Sequence, residues 1–141
     1  MKHEILNLAP ASVWKYFFEI CQIPHPSKKE EKMINYLMET GKRLGLETLK
    51  DEAGNVLIRK PASKGKESIK AVVFQSHMDM VCEKNNDVPF NFDTDAIQPY
   101  IDGEWVKAKG TTLGADDGIG MAIALALLED NTLQHGPIEC L

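Results

Sequence analysis

An almost wholly apolar helix, predicted over Gly118–Asp130, is the feature that most constrains the fold of this chain. Every residue from Met121 to Leu128 is methionine, alanine, isoleucine or leucine. A helix that is apolar on all sides is buried or packed along a sheet. A second apolar run, Ala71–Phe74 within the predicted strand Lys70–Ser76, is typical of a strand covered on both faces. The two segments therefore favour a sheet with helices packed against it.

The other segments alternate between helical and strand-like periods. Apolar spacing predicts one helix over Pro10–Gln22 and a second from a capping box at Ser27–Glu30 to a stop at Gly45. Strands are predicted in two hairpins and at one further place: Leu46–Lys50 with Asn55–Arg59, Gln98–Ile101 with Glu104–Lys107, and Ile138–Leu141. Strands that alternate with helices indicate an α/β fold.

Composition argues against two classes of partner. The chain has 141 residues, the size of one ordinary domain, and a formal net charge of -5 with no dense basic cluster. Nucleic acid is therefore not expected as a partner, because its phosphates require a dense basic surface. No apolar stretch reaches the roughly eighteen residues that a membrane span needs, and the N-terminus lacks a signal-peptide pattern. We expect a cytoplasmic protein.

The cysteines and one histidine are expected to be structural. Cys21, Cys82 and Cys140 are odd in number and lie outside any Cys-x-x-Cys spacing. This pattern suits reduced thiols that pack, although Cys82 lies close to the candidate site described next. His25 stands between two prolines, where a structural or solvent-facing ring is expected more than a metal ligand.

Two residues with metal chemistry follow the apolar strand. His77 and Asp79 come at its end, and sites in open α/β sheets form at the carboxyl ends of strands. Imidazole is a common zinc ligand, and a carboxylate that accepts its other N–H fixes its tautomer. A lone His-x-Asp motif is weak, so a structural role for the pair stays open.

An acidic glycine loop, Gly114–Gly120, holds a second candidate group. It leads into the apolar helix, whose free amides could cradle a phosphate. The glycine spacing does not match a phosphate-binding motif, and the adjacent Asp116 and Asp117 would repel an anion. A cation-binding loop fits better. The alternative is that Asp116 or Asp117 caps the helix, which is a common use of aspartate.

Taken together, these motifs resemble the aminoacyl-histidine dipeptidases, which are cytosolic non-specific dipeptidases among the co-catalytic zinc metallopeptidases. The matching segments span nearly the whole chain: Ile23–Ser27, Asp51–Pro61, Gln75–Val81, Lys84–Asp87, Gln98–Val106 and Gly110–Gly120. The resemblance implies a zinc-peptidase-like catalytic domain, with part of a mixed sheet flanked by helices. It implies hydrolysis of dipeptides, of the Xaa-His type or of broad specificity, at a site with two divalent metal ions. Zinc is expected, with cobalt or manganese as alternatives.

The resemblance also implies roles for individual residues. His77 would bind one zinc ion, Asp116 would bridge both, and Asp79 would be the catalytic residue that orients His77 and tunes its basicity. The peptide bond between Asp116 and Asp117 is expected to be cis. Two positions depart from the family pattern: Cys82 stands where many relatives have proline, and Asp117 where many have asparagine.

Residues 1–141 are expected to be the N-terminal part of the catalytic domain of a longer protein. The lid or dimerisation domain, the remaining ligands and the general-base glutamate would lie outside them, since Glu139 falls within a predicted strand. The segment is therefore expected to be inactive alone, and the full-length protein to be a homodimer acting on small peptides. An aminoacylase or carboxypeptidase of the same superfamily, or a non-catalytic interaction module on the same fold, remains the alternative.

Overall fold

The computed structural model describes residues 3–141 and contains helices on a mixed sheet. A short 3-10 helix at Glu4–Asn7 precedes the first α-helix. The α-helices are α1 (Ala11–Cys21), α2 (Glu31–Arg43) and α3 (Ala115–Glu129). The strands are β1 (Glu47–Lys50), β2 (Val56–Lys60), β3 (Val72–Phe74), β4 (Pro99–Asp102), β5 (Trp105–Ala108) and β6 (Ile138–Cys140). The predicted helices and hairpins are thus confirmed, with ends shifted by a few residues.

Four of the strands form one sheet in the order β1-β2-β6-β3. The pairs β1–β2 and β2–β6 are antiparallel, whereas β3 and β6 run parallel. Parallel neighbours need a crossover connection, and here that connection includes α3. β4 and β5 form a separate two-stranded sheet. The α/β class with a mixed sheet and flanking helices is confirmed.

The apolar helix α3 is largely inaccessible on one side, where it packs against α1; the sequence predicts its burial but not this partner. Six of its side chains are buried, among them Met121, Ala122, Leu125 and Leu128, whereas Ile123 is exposed. Gly118 is buried at this contact, and a Cβ added there would lie 3.4 Å from the ring of Phe17, an ordinary contact distance. An ion pair of 3.0 Å joins Lys15, in the middle of α1, to Glu129, the last residue of α3.

The prediction that β3 is covered on both faces is wrong. The strand comprises only Val72–Phe74, and Val72 and Val73 are 52% and 54% exposed. β3 lies at the edge of the sheet and pairs with β6 alone among the described residues. A continuous apolar run shows that a strand can be covered, but whether a neighbour covers it depends on the rest of the fold.

The predicted capping box at Ser27–Glu30 is also wrong. Helix α2 begins at Glu31, and its N-cap residue Glu30 makes no side-chain capping bond. Glu30 instead accepts a hydrogen bond of 2.6 Å from the backbone N–H of Lys28, and the Ser27 hydroxyl points away to Asp79. The cause is the left-handed backbone of Lys28, at φ 68°, which turns the chain before the helix starts.

The remaining structural expectations hold in part. Cys21 and Cys140 are buried, Cys82 is half-buried, and none of the three forms a disulfide. His25 is buried and its Nδ1 donates to the Ile23 carbonyl at 2.5 Å, so the ring is structural and not solvent-facing. Across residues 3–141, no helix combines the length and the apolar character that crossing a membrane requires.

Candidate metal centre

His77 and Asp79 lie just beyond β3, and their side chains contact each other as predicted. Nδ1 of His77 lies 3.1 Å from Oδ1 of Asp79 and 3.1 Å from its backbone carbonyl oxygen. Because both partners can only accept, Nδ1 carries the proton. The other ring nitrogen, Nε2, is then the one that a metal ion could use.

Asp116 meets His77 from the opposite side of the ring. Its Oδ1 lies 3.0 Å from Nε2 of His77, although 39 residues separate the two in the sequence. The carboxylate of Asp116 is 97% exposed and the His77 side chain is 49% exposed, so the pair is open to solvent. The structure thus brings these two side chains together, as predicted. Their role as metal ligands stays a prediction.

The two adjacent aspartates have different contacts. Asp117 is non-helical (φ -115°, ψ 36°) and lies at a kink inside α3, and it accepts a hydrogen bond of 3.2 Å from the backbone N–H of Gly120, so that it caps the turn that follows the kink. Asp116 has non-helical backbone angles (φ -95°, ψ 102°), and the Asp116–Asp117 peptide bond is cis, as expected. Asp117 is therefore the cap, which leaves the Asp116 carboxylate free to face His77.

The glycine loop that carries Asp116 is tied to the segment that follows His77. Thr112 donates its backbone N–H to the Glu83 carbonyl at 2.8 Å and its hydroxyl to the Val81 carbonyl at 2.6 Å. Gly114 has a φ of 74°, and a Cβ there would lie 3.1 Å from the sulfur of the buried Met80. Both the backbone angle and the close approach to Met80 therefore favour glycine at this position.

Hydrogen bonds shift the pKa of two of the site residues. The hydrogen bond to Asp116 is the main cause that raises the pKa of His77, with a smaller contribution from Asp79. The hydrogen bond from Ser27 is the main cause that lowers the pKa of Asp79. An ionised Asp79 and a proton on Nδ1 of His77 are therefore mutually stabilising.

Nε2 of His77 and the carboxylate of Asp116 are atom types that bind zinc, but two ligands are fewer than a zinc site uses. A neutral imidazole donates from one nitrogen only, so Nε2 and Asp116 need a proton or a cation between them. One nitrogen and one carboxylate oxygen are ordinary zinc ligands, and bonds of about 2.0–2.2 Å would hold them roughly 3.3 Å apart. Within the described residues, however, no group of three or more His, Cys, Asp or Glu side chains could hold a metal ion. Structural and catalytic zinc sites use three or four protein ligands.

A polar cleft lies beside His77 and Asp79. Its volume is about 360 Å³, and it opens between α2, the β1–β2 turn and the segment that carries His77 and Asp79. Among its lining residues, Glu30, Asn55 and Gln75 offer polar groups. A cleft of this size is in the range of small-molecule sites.

The sequence analysis missed one residue of this centre. Ser27 donates its hydroxyl to Oδ2 of Asp79 at 2.5 Å. Its segment belongs to the family resemblance, yet a serine three residues before a glutamate reads as a helix cap. The signal that could have found Ser27 is the absence of a helical apolar pattern before Glu31.

The chain is similar in sequence and in structure to known peptidases. The chain is 55% identical over 138 residues to the cytosol non-specific dipeptidase of Escherichia coli (strain K12), covering 98% of the chain and 28% of that protein. The crystal structure of aminoacylhistidine dipeptidase from Vibrio alginolyticus matches with a TM-score of 0.94 and 54% identity, over 96% of this chain and 28% of that one. A tripeptidase from Staphylococcus aureus matches with a TM-score of 0.72 and 26% identity, over 92% of this chain and 35% of that one.

No family model matches the chain. The chain spans 28% of the length of the two dipeptidases, so the likeness concerns one segment of each. Over the segment that it shares with them, the chain is similar in sequence and in fold to these two dipeptidases.

Proposed function

We propose that this chain supplies part of the active site of a metal-dependent dipeptidase. The observation that carries the proposal is the approach of His77 Nε2 to Asp116 Oδ1 in a chain whose relatives are peptidases. Identity of 55% to a dipeptidase, against 26% to a tripeptidase, favours dipeptides over longer substrates. The relative from Escherichia coli is a cytosol dipeptidase, which supports a cytoplasmic location for this protein.

His77 and Asp116 would hold the metal. When bound, two divalent ions, zinc in the first instance and cobalt or manganese as substitutes, would lower the pKa of a bound water and polarise the scissile carbonyl. Asp116 suits a bridging role because its carboxylate is almost fully exposed. The further ligands and the general-base glutamate would come from residues outside 1–141, since the described residues supply only this donor pair.

The other residues of the site would position groups and bind substrate. Asp79 would keep the proton on Nδ1 of His77, so that the lone pair of Nε2 stays available. The polar cleft beside His77 would receive the small peptide, with Asn55 and Gln75 as hydrogen-bonding groups for its ends. The complete protein would act as a homodimer, and this segment alone would be inactive.

Hydrolysis assays on the complete protein test the proposal. We expect it to cleave a panel of dipeptides, Xaa-His among them, to lose activity with a chelator and to regain it with zinc. His77→Ala and Asp116→Asn should each abolish turnover, whereas Asp87→Asn, the same change at an exposed loop carboxylate, should not. Cleavage of acylated amino acids or of longer peptides alone would favour an aminoacylase or carboxypeptidase. No hydrolysis at all would favour an interaction module.

Calorimetric titration of the 141-residue chain with zinc tests the ligand count. We expect weak binding, because two protein ligands leave the ion mostly solvated. His77→Ala should remove what binding there is. A tight isotherm of defined stoichiometry in the isolated chain would contradict the proposal that further ligands lie elsewhere.

A further inference from the structure

We propose that Ser27 is a positioning residue whose hydroxyl fixes the carboxylate of Asp79 and, through it, the imidazole of His77. Its Oγ lies 2.5 Å from Oδ2 of Asp79, while the other oxygen, Oδ1, lies 3.1 Å from Nδ1 of His77. One carboxylate therefore links the hydroxyl to the ring. The effect of Ser27 on metal binding rests on the proposed function, whereas its effect on the orientation of Asp79 does not.

The second bond matters because of how an aspartate side chain rotates. The terminal torsion of aspartate is broad and has no sharp minima, so a single hydrogen bond leaves the carboxylate plane poorly defined. With Ser27 on Oδ2 and His77 on Oδ1, rotation of the plane would break both bonds. Without Ser27, the carboxylate of Asp79 would keep His77 as its side-chain partner but lose the bond on Oδ2, and the ring would lose a fixed partner.

The backbone places Ser27 at Asp79. The N–H of Met80 donates to the His25 carbonyl at 3.1 Å, and Pro26 and Met80 form an isolated parallel β-bridge. The segment before Ser27 is therefore hydrogen-bonded directly to the segment that carries Asp79. His25 is fixed in turn, because its buried ring donates to the Ile23 carbonyl.

A tight turn then orients the serine. The N–H of Lys29 donates to the Pro26 carbonyl at 2.9 Å, which places Ser27 and Lys28 at the two central positions. Lys28 has a φ of 68°, the left-handed value that a type II turn requires at its third position, where glycine or asparagine is usual. Lysine at this position indicates that the neighbouring contacts maintain the turn, and Ser27 is the side chain that the turn directs to Asp79.

The test compares three variants of the complete protein. Ser27→Ala removes the hydroxyl, Ser27→Thr retains it, and Ser68→Ala removes the hydroxyl of another exposed serine. Ser27 is itself exposed, so its replacement by alanine leaves the core intact. The first measurement is a crystal structure of each metal-free protein. We expect Asp79 to rotate and the contact between Asp79 and His77 to loosen in Ser27→Ala only.

The second measurement is zinc affinity, determined by competition with a chromophoric chelator. We expect Ser27→Ala to weaken zinc binding roughly 10-fold or more, the effect of losing a partner behind a metal-binding histidine, with Ser27→Thr and Ser68→Ala close to wild type. An unmoved Asp79 in metal-free Ser27→Ala, or unchanged zinc affinity, would overturn the assignment. If the wild-type protein binds no zinc, the proposed function fails, and the metal-free structures still decide the role of Ser27.

Discussion

The ring of His77 lies between the carboxylates of Asp79 and Asp116, with its two nitrogens 3.1 Å and 3.0 Å from their oxygens. A neutral imidazole can donate to one of them only, whereas an imidazolium donates to both. In the absence of metal the arrangement therefore favours the protonated ring. A metal ion on Nε2 would replace that proton, so that binding would release it.

We predict that Asp116→Asn lowers the pKa of His77 relative to wild type in the metal-free chain, because the bond to Asp116 is the main cause of its raised value. A histidine whose pKa is raised on folding adds stability that is fully present below its unfolded pKa of about 6.5 and is lost as pH rises through the folded pKa. The stability lost in Asp116→Asn should therefore be largest at acidic pH and should shrink above the folded pKa. NMR titration of the ring C–H signals measures the pKa directly, with Asp87→Asn as control. An unchanged pKa in Asp116→Asn would contradict the contact.

Much of the centre could be predicted because its signals are local. His77 follows an apolar strand, and Asp116 precedes the apolar part of a helix. The apolar pattern of each segment is enough to predict its secondary structure. These local patterns locate each residue at the end of its own element. The contact between them follows from the family resemblance, and in the structure the bonds of Thr112 to the Glu83 and Val81 carbonyls hold the two segments together.

The role of Ser27 could not be predicted because it depends on a backbone angle that the sequence disfavours. Lysine rarely adopts a positive φ, and Ser-Lys-Lys-Glu matches a helix cap.

The exposure of β3 could not be predicted for a different reason. Ala71–Phe74 is apolar enough for a central strand, but β3 is an edge strand, and the burial of its two faces depends on which elements pack on them; Val72 and Val73 remain about half exposed in residues 3–141.

Asp117 and Gly120 form a pair whose coupling can be measured. A Cβ at residue 120 would lie 2.2 Å from Oδ1 of Asp117, so Gly120→Ala should displace the capping carboxylate. We expect a loss of about 1 kcal/mol in the free energy of unfolding, as for a removed helix cap. Asp117→Ala should cost a similar amount, and Asp117→Asn little, since asparagine caps as well as aspartate.

The double variant separates this explanation from a general effect of the glycine. Once Asp117→Ala has removed the carboxylate, Gly120→Ala should become neutral or stabilising by up to about 1 kcal/mol, because alanine is the better helix former. Urea unfolding of the four proteins in this cycle gives the coupling. A loss of stability from Gly120→Ala that is equal in both backgrounds would show that the clash with Asp117 is not its cause.

The three thiols should differ in reactivity. Burial raises the pKa of Cys21 to about 12 and that of Cys140 to about 11, so neither forms much thiolate near neutral pH. Cys82 is half-buried, and burial raises its pKa as well. We expect a disulfide reagent at pH 8 to modify one thiol slowly in the native chain and three in urea. Cys82→Ser should abolish the native reaction, and rapid modification of the remaining two would contradict their burial.

Lys60 should stabilise the end of α3 from within the core. Its side chain is buried, and Nζ donates to the Leu127 carbonyl at 2.9 Å and to the carbonyl of Asp130, which are backbone acceptors at the last turn of the helix. Lys60→Met would fill similar space but leave both partly buried carbonyls without this donor, so we expect a loss of about 1–3 kcal/mol in the free energy of unfolding. Lys64→Met, the same change at an exposed loop lysine, should cost less than about 0.5 kcal/mol. Urea unfolding at pH 7 compares the two, and equal stability would mean that water satisfies the helix end without Lys60.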